Sequence, residues 1–482
     1  MRHRPGFTFA VAILGVTVLV AVAGFVAAGL FEAGAGRLLV AFRWVLIGSA
    51  AAVLLAAAAT QVLLGGADVR RRHLALSALT LGGLLLCVLG FAAYGRWVTR
   101  AAPEDLLGAV VDAAPAGEWF AVAGGTRRTK PPSAYTPAFL IDDTARQRVG
   151  LGGIDFALGP LAWSADGRRV AWISPGLWRS GVASAWVDVP DATITRVPVA
   201  REQSPWPLEP VALSRDGQRL LVQQRSTLRL IEVDTGRETG RAESYPVRTA
   251  TFLRDGSARL VVSPRGHLSD AEVSFCDWDF RGNRVDVRWT LATEGGARVH
   301  LTPDGEHLLL VDRRGLALYA ADGRKSANLI DAWSGPNHLT GFLFNRSILA
   351  VEDLGSALRL RVFAADGRPR VNVTLPGSFP ARFAGEPAAG LVSIGIEGRP
   401  SGGEWETVFV DTAAGEVRRR EPGLRPAGNW EGGRWATGDT ATVPAPGSAG
   451  TRLFWGARHT LLWFDPLSGA RRALLTTAGD ER

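Results

Sequence analysis

WSADGRRVAWIS, residues 163–174, places a polar Asp-Gly pair between two short apolar runs. Near copies follow downstream as LSRDGQRLLVQQ (213–224), FLRDGSARLVVS (252–263) and LTPDGEHLLLVD (301–312). Glycine supplies the positive φ that a two-residue hairpin turn requires, and an aspartate before it tolerates the same left-handed region. The recurrence therefore predicts a repeated β-hairpin, and assigns Asp166 and Gly167 to the fold instead of to a substrate site.

A second turn type closes other apolar runs, with aspartate followed within a few residues by glycine. Examples are LRLIEVDTG (228–236), LRLRVFAADG (358–367) and LLWFDPLSG (461–469). With looser matches at Ala145, Ala192 and Gly282, this turn recurs about every 46 residues, which is typical of a β-propeller. We therefore predict an all-β fold over residues 101–482, with eight four-stranded blades. Seven blades are the alternative, if the two terminal strands close one blade jointly.

The strand order within a repeat is predicted as A, hairpin, B, loop, C, hairpin, D. Two repeats replace the Asp-Gly pair of the first hairpin, one by Ala116-Gly117 and one by Asn345-Arg346. Such substitutions at turns are expected of divergent repeats.

The repeat resembles the WD40-like and TolB-type propeller families, including their PD40 and YVTN-like members. Their units carry the same S-x-D-G-x-x-L hairpin, followed by an apolar strand that ends in D-x-x-[TS]-G. The resemblance covers nearly all of residues 106–475 and implies architecture alone. A WD40 unit would also carry a Gly-His pair well before its Trp-Asp pair, whereas Gly266-His267 lies too close to Trp278-Asp279. No family residue is therefore carried over.

Residues 1–100 form a separate segment with three long apolar runs, at about residues 8–30, 45–66 and 74–95. A run of that length in helical form covers roughly 30 Å, the thickness of the hydrocarbon layer. We predict a membrane anchor of three transmembrane helices. The alternative for the first run is a cleaved signal peptide, although its apolar stretch is longer than such a peptide normally has.

The charge distribution predicts the orientation of this anchor. Arg2 and Arg4 precede the first run, and Arg70, Arg71 and Arg72 lie between the second and third. By the positive-inside rule the N-terminus is cytoplasmic and the propeller lies on the periplasmic or extracellular side of a bacterial cytoplasmic membrane. The anchor holds most of the net charge of +8, so the remainder is close to neutral and no nucleic-acid partner is expected.

The sequence lacks the usual signatures of catalysis and metal binding. Its seven histidines form no HxH or HExxH pattern, and neither a G-x-S-x-G elbow nor a P-loop is present. Asp234-Thr235-Gly236 begins the D-x-x-T-G-x-x-x-W motif of quinoproteins, but position 240 is Gly. We assign no catalytic, cofactor-binding or metal-binding residue, and the question of enzymatic activity stays open with a non-catalytic role favoured.

The loops predict a binding face. The A/B and C/D hairpins open on one face of the disc and are uniformly short, whereas the B/C and D/A connections open on the other. Several B/C loops are long, and insertions that collect on one face of a propeller usually mark its binding face. The alternative is that they are tolerated extensions without a partner. Candidate partner-binding residues in these loops, chosen for their Arg and Trp character, are Arg127, Arg128, Lys130, Trp178, Arg179, His267, Arg399 and Trp405.

These observations together predict a membrane-anchored extracytoplasmic propeller. We expect a non-catalytic binding or scaffold module for a protein, peptide or glycan, as accessory subunit of a membrane complex. The alternatives are an extracytoplasmic enzyme, quinoprotein-like or a hydrolase or lyase, with its site in the central channel, and a ligand sensor. No cofactor is assigned, and the sequence does not identify a small-molecule ligand.

Overall fold

A computed structural model describes most of the C-terminal part of the chain. The described residues are 102–126, 136–154, 161–174, 181–187, 194–198, 208–263, 272–293, 297–302, 304–334, 337–397, 404–427, 430–431, 434–435 and 445–478. The three transmembrane helices predicted in residues 1–100 lie outside these ranges. Within them, the structure contains no helix with the length and apolar character that a membrane crossing requires.

Eight four-stranded antiparallel sheets follow one another along the chain, which confirms the all-β, eight-bladed propeller. Blade 1 contains β1 (Leu106–Ala113), β2 (Trp119–Thr126), β3 (Thr136–Asp142) and β4 (Arg148–Ile154). Blade 2 contains β5 (Ala162–Trp163), β6 (Arg169–Ser174), β7 (Gly181–Trp186) and β8 (Thr195–Pro198). Blade 3 contains β9 (Glu209–Leu213), β10 (Arg219–Gln224), β11 (Thr227–Glu232) and β12 (Glu238–Glu243). Blade 4 contains β13 (Val247–Phe252), β14 (Ala258–Val262), β15 (Glu272–Asp279) and β16 (Arg284–Ala292).

The second half of the ring repeats this order. Blade 5 contains β17 (Arg298–Leu301), β18 (His307–Val311), β19 (Leu316–Ala320) and β20 (Lys325–Ile330). Blade 6 contains β21 (His338–Phe342), β22 (Ile348–Asp353), β23 (Ala357–Phe363) and β24 (Pro369–Pro376). Blade 7 contains β25 (Ser378–Ala388), β26 (Leu391–Glu397), β27 (Trp405–Asp411) and β28 (Glu416–Pro422). Blade 8 contains β29 (Arg425–Pro426), β32 (Leu453–Trp455), β33 (Thr460–Phe464) and β34 (Arg471–Thr476).

Blade 8 also carries an insertion between its first two strands, residues 427–452. The insertion contains a small hairpin of β30 (Trp430–Glu431) and β31 (Arg434–Trp435), followed by the one-turn helix α1 (Ala449–Arg452). This contradicts the prediction that A/B and C/D connections are uniformly short. The repeat pattern does not predict the insertion, because the Asp-Gly pair identifies only those hairpins that have a short turn.

The Asp-Gly stretches form the A/B hairpins, as predicted, but the turn is longer than two residues. In blade 2 the connection covers residues 164–168, and the Gly167 N–H donates to the Ser164 carbonyl over 2.9 Å. Gly167 has a φ of 70°, whereas Asp166 is not among the positive-φ residues. Aspartate thus contributes through its carboxylate rather than by adopting the left-handed region, since its Oδ1 accepts from Ser164 Oγ at 2.6 Å and from Arg168 N at 3.1 Å.

Burial explains why the middle strands read as continuous apolar runs. In β10 five successive residues are buried, and in β22 the first five are buried. A blade packs between two neighbours, so both faces of its sheet are covered and the alternation typical of a one-sided sheet is lost. The outermost strands keep the alternation, as in β28, because one side of that strand meets solvent.

The hydrophobic core of the described residues is divided into eight clusters, one at each junction between neighbouring blades. Buried arginines add polar links at some junctions. Arg169 of blade 2 forms an ion pair with Asp234 of blade 3 and donates to the Gly217 carbonyl at 3.0 Å. Arg259 of blade 4 repeats this arrangement with the Gly305 carbonyl of blade 5 at 2.7 Å. Each of these arginines thereby holds the A/B hairpin of the next blade.

The ring closes between blades 8 and 1 without a shared strand. The Ala478 N–H donates to the Leu106 carbonyl at 3.0 Å, and the two blades share a buried cluster that includes Leu453 and Leu474. The insertion of blade 8 adds a second link, because the Ala449 N–H donates to the Gly117 carbonyl of the first hairpin at 3.0 Å. We call this junction the seam.

Candidate functional site

The two faces of the disc differ in the connections they carry. The face with the A/B and C/D connections is called the A/B face, and the face with the B/C and D/A connections is called the B/C face. Strand A of each blade begins at the B/C face. The chain therefore enters the propeller there, through the 3₁₀ turn Pro103–Asp105 that precedes β1.

Polar side chains at the A/B face are largely used by the turns themselves. Asp216 accepts from Ser214 Oγ at 2.6 Å and from Gln218 N at 3.0 Å, which repeats the geometry of Asp166 in the preceding blade. Asp366 accepts from Arg368 N at 3.1 Å in a C/D turn and forms an ion pair with the same arginine at 3.5 Å. The recurring aspartates are thus part of the fold, and arginines at these tips have acidic neighbours.

Of the eight predicted partner-binding residues, only Trp405 lies within the described residues. Arg127, Arg128, Lys130, Trp178, Arg179, His267 and Arg399 lie outside them.

Trp405 begins β27 at the B/C face and is half-buried. The guanidinium groups of Arg382 and Arg425 lie over its ring, at 5.4 Å and 5.7 Å from the centroid. Arg425 begins blade 8, so this aromatic side chain links two blades through cation–π contacts. Trp405, which we predicted as an interface anchor, thus also has a structural role between blades 7 and 8.

The short B/C turns carry basic residues that the sequence analysis did not select. The tips of blades 3, 5 and 8 expose Arg225, Arg313 and Arg314, and Arg458 with His459. The aspartate of the blade 5 turn, Asp312, is bonded to the backbone of that turn. Its Oδ1 accepts from the N–H groups of Arg314 and Gly315 at 2.9 Å and 3.0 Å. The sequence does show these basic residues in very short turns, but it does not show that the turns expose them on one face.

Exposed acidic residues do occur on the B/C face. They lie at strand ends and in D/A connections and not at the short B/C tips; they are Glu104, Asp105, Glu209, Glu243, Asp331 and Glu404. We define the arginine tips as Arg225, Arg313, Arg314 and Arg458.

An exposed tyrosine adjoins the tip of blade 3. Tyr245 lies in the D/A connection to blade 4 and is 53% exposed. The Gln223 amide donates to the carbonyls of both Arg225 and Tyr245, at 2.9 Å and 3.3 Å, and thereby ties the two connections together. The backbones of an exposed arginine and an exposed tyrosine are thus held together at this face.

A buried polar cluster lies between blades 5 and 6, below the B/C face. Glu352 is fully buried, forms an ion pair with Arg361 at 2.9 Å, and accepts from the Ser334 N–H at 3.2 Å. His338 is its partner across the strands and stacks on Trp333 with ring centroids 4.2 Å apart.

This cluster has the residue types of an acid–base site but not the access. Burial lowers the pKa of His338 and the nearby Arg298 adds to that effect, while Glu352 acts against it, so the imidazole is neutral near pH 7. The His338 Nδ1 and Glu352 Oε2 atoms have no contact with solvent. A substrate therefore does not reach these two atoms in this arrangement of the blades.

The aspartate pair of blade 4 is engaged by arginines. Asp277 receives Arg259 Nε at 2.7 Å and Arg288 Nε at 3.0 Å, and the two guanidinium groups hold the pKa of this carboxyl low against the opposite effect of burial. Asp279 accepts from the Arg281 N–H at 3.0 Å. Both carboxylate oxygens of Asp277 and Oδ1 of Asp279 therefore accept hydrogen bonds within the protein.

No protein-family model matches this chain. No curated protein matches it. Solved structures that it resembles include dipeptidyl peptidase 4 of Porphyromonas gingivalis, with 11% identity, a TM-score of 0.48, and coverage of 76% of this chain and 59% of that chain. A prolyl endopeptidase has 12% identity and a TM-score of 0.45, with coverage of 71% of this chain and 57% of that chain. Apo AztD from Citrobacter koseri has 13% identity and a TM-score of 0.43, with coverage of 71% and 92%.

Proposed function

We propose that the chain is a membrane-anchored extracytoplasmic β-propeller that acts as a non-catalytic binding or scaffold module. Its partner is a protein, peptide or glycan, and its role is that of an accessory subunit in a membrane complex. The anchor consists of the three helices predicted at about residues 8–30, 45–66 and 74–95. A rigid disc suits this role, because its connections can vary while the blades hold them in place.

The difference between the two faces is the observation that carries this proposal. Both faces expose arginine at their tips, but the A/B tips place it in the same turn as an aspartate, as with Arg368 and Asp366. The short B/C turns of blades 3 and 8 contain Arg225 and Arg458 and no acidic residue. Arginine is enriched at binding interfaces because its planar group offers several donors at once. The B/C face is thus the proposed binding face, and its tips favour a partner with acidic groups.

An enzyme with its site in the central channel is the alternative, and a ligand sensor is a second one. His338 and Glu352 have the residue types of an acid–base site, but they are buried between blades 5 and 6 and do not support an enzyme as the structure stands. Metal and quinone analysis of the purified chain tests this alternative. A bound cofactor in stoichiometric amount would replace the binding module by the enzyme.

The binding face is tested by comparing two sets of four substitutions in the full chain. The first set, R225Q, R313Q, R314Q and R458Q, neutralises the arginine tips of the B/C face. The matched set, R215Q, R254Q, R324Q and R368Q, neutralises exposed arginines at the tips of the A/B face. Complexes are isolated from membranes after mild solubilisation, and partners are quantified by mass spectrometry. We expect partners to be lost from the first set and retained by the second, and the reverse pattern would move the binding site to the A/B face.

The predicted orientation is tested with reporters fused after residue 482. Alkaline phosphatase is active only outside the cytoplasm, and a fluorescent protein that folds only in the cytoplasm gives the opposite readout. We expect phosphatase activity, because Arg2, Arg4 and the Arg70–Arg72 run hold the N-terminus inside. Fluorescence without phosphatase activity would contradict the extracytoplasmic location.

A further inference from the structure

The point at which the chain enters the propeller limits how the disc can sit on a membrane. β1 begins at Leu106, whose carbonyl accepts from Ala478 at the end of blade 8, so the first strand starts at the B/C face. The third predicted membrane helix ends at about Gly95. The residues between Gly95 and Ala102 cover at most roughly 25 Å when fully extended.

That reach is about the same as the thickness of the disc, so crossing the disc would use all of it. The A strand β1 is eight residues long and separates the two faces by roughly 26 Å at its full extension. A chain that leaves the membrane at Gly95 therefore reaches the start of β1 directly when the B/C face is turned toward the bilayer. If the A/B face were turned toward the bilayer, the same residues would have to extend across the full thickness of the disc before β1 could begin.

The side chains of the B/C face suit a membrane surface. Arg225, Arg313, Arg314 and Arg458 are exposed at three tips that are distributed around the ring, in blades 3, 5 and 8. Guanidinium groups bind phosphate with two parallel hydrogen bonds, and basic residues are attracted to membranes that contain anionic lipid.

Tyr245 also suits contact between the B/C face and a membrane surface. It is 53% exposed and held beside Arg225 by Gln223, which donates to both backbone carbonyls. Tyrosine is enriched at membrane–water interfaces, where its ring lies at the level of the headgroups. An exposed tyrosine on the same face as the arginine tips therefore suits contact with a headgroup layer.

We infer that the B/C face is turned toward the bilayer and that its arginine tips contact the phosphate groups of anionic lipids. The inference rests on the membrane anchor of the proposed function and goes beyond it, because it gives the orientation of the disc. Partners of the B/C face are then membrane-resident, and the A/B face points away from the bilayer.

Fluorescence transfer from the propeller to labelled lipid headgroups tests this orientation in the full chain. The donor is attached to S356C at the B/C tip of blade 6, or to A365C at the C/D tip of the same blade; both positions are exposed. Cys87 is replaced by serine in both variants, and the buried Cys276 stays in place. The chain with Cys87 replaced by serine and no added cysteine provides the labelling background. The chain is reconstituted in vesicles of phosphatidylcholine alone or with added phosphatidylglycerol.

We expect stronger transfer from S356C than from A365C, and a further rise at S356C when phosphatidylglycerol is present. R225Q, R313Q, R314Q and R458Q together should abolish that rise, and so should high salt, which screens exposed charges. The A/B-face set R215Q, R254Q, R324Q and R368Q should leave the rise unchanged.

Three outcomes would overturn the inference. Equal transfer from the two positions, or stronger transfer from A365C, contradicts the orientation. A rise that survives loss of the arginine tips contradicts the lipid contact. Competition for the tips by soluble polyglutamate, without any response to phosphatidylglycerol, would assign them to a soluble acidic partner.

Extraction tests separate these outcomes from failure of the proposed function. A chain that is released from membranes by alkaline carbonate lacks the anchor, and then both proposals fail. A chain that resists extraction but gives equal transfer from the two positions leaves the binding module intact and removes only the inferred orientation.

Discussion

Asp112 is a carboxyl whose ionisation is strongly altered by the fold. It lies in β1, and burial raises its pKa to about 7, while the Trp163 indole and the Ala113 N–H offset part of that effect. Its Oδ2 atom has no hydrogen-bond partner in the described part of the chain and no contact with solvent. The folded chain therefore holds a proton on this carboxyl at pH values where the unfolded chain releases it.

We predict that Asp112→Asn stabilises the propeller at alkaline pH and flattens its dependence on pH. Because the folded pKa lies above the ordinary value of 3.8, stability falls as the pH rises from 3.8 to about 7. The loss over that window amounts to roughly 4 kcal/mol at most, since one pKa unit is about 1.4 kcal/mol. Chemical unfolding followed by tryptophan fluorescence, at about pH 5 and about pH 8, measures it. Equal pH slopes in parent and variant would contradict the prediction.

Asp216 provides a control of opposite sign. Burial acts to raise its pKa, but hydrogen bonds from Ser214 and Gln218 outweigh this and lower it. A lowered pKa contributes stability above the ordinary value of 3.8, and that contribution is lost as the pH falls. Asp216→Asn should thus weaken the protein at neutral pH and have little effect in acid.

Arg169 should be among the most costly arginines to remove. Its side chain is 1% exposed, donates to Gly217 and Ser184, pairs with Asp234, and lies 4.6 Å from the centroid of the Trp186 ring. We predict that Arg169→Ala lowers the free energy of unfolding by about 3 kcal/mol, because loss of the buried guanidinium leaves the Gly217 carbonyl and Ser184 Oγ without this donor and removes the ring contact.

The matched control for Arg169 is Arg237, whose side chain is 70% exposed and pairs with Glu232 at 3.5 Å. Arg237→Ala should change stability by less than about 0.5 kcal/mol, as exposed ion pairs do. Urea unfolding of the three proteins gives the comparison. Similar losses for both variants would mean that burial of Arg169 contributes nothing specific.

At the scale of elements, the A/B hairpins depend on what surrounds their glycines. Gly167 has a φ of 70°, and a Cβ there would lie 1.8 Å from the Ala116 carbonyl oxygen of blade 1. Gly117 has a φ of 90°, but a Cβ there would meet nothing within 4 Å. The two positions share the backbone conformation and differ in contacts between blades.

We predict that Gly167→Ala destabilises the propeller far more than Gly117→Ala. The second change costs about 1 kcal/mol, the strain of a side chain in the left-handed region. The first adds a backbone collision between blades 1 and 2, for a total of about 3 kcal/mol or more. Thermal unfolding of both variants checks this, and equal shifts of Tm would show that the junction yields without cost.

At the scale of the whole molecule, the seam is the junction without chain continuity. Each other pair of neighbouring blades is joined by a D/A connection, whereas blades 8 and 1 are held by packing, the Ala478–Leu106 hydrogen bond and the contact of Ala449 with Gly117. We predict that the amides of Ala449 and Ala478 exchange with deuterium before those of β10 and β22. Hydrogen-exchange mass spectrometry measures this order.

Gly450→Val sharpens the test of the seam. A Cβ at Gly450 would lie 2.7 Å from the Ala113 Cβ of blade 1, so the larger side chain should push the two blades apart. Exchange at Ala449 and Ala478 should accelerate, while β10 stays protected. Uniform acceleration around the ring, or none, would contradict a seam that opens on its own.

The architecture could be predicted because hairpin chemistry is local. A positive φ at Gly167 or Gly217 and the adjacent aspartate depend on a few consecutive residues, so their spacing counted the blades and marked both hairpins of most repeats. The degenerate Asn345-Arg346 turn was predicted from its place in the repeat. In the structure Arg346 has a φ of 66°, the conformation that glycine adopts in the other hairpins.

The candidate surface could not be predicted in the same way. The long B/C loops remain the predicted binding site, and seven of their eight candidate residues lie outside the described residues. The exposed Arg225 and Arg458 belong to short turns of the same face, and the length of a turn does not indicate their exposure. The packing of the blade 8 insertion on the first hairpin, through Ala449 and Gly117, could not be predicted either, because this contact joins the two ends of the domain.

The amino-acid sequence by itself determined the repeat, favoured eight blades over seven and predicted the anchor, because turns and apolar runs depend on neighbours along the chain. Only the tertiary structure decided how the ring closes, which tips carry exposed charge, that Glu352 is buried, and that the Asp112 Oδ2 atom is shielded from solvent. These properties arise from packing between blades that are distant in sequence, and burial and electrostatic environment are set by that packing and not by local residue order.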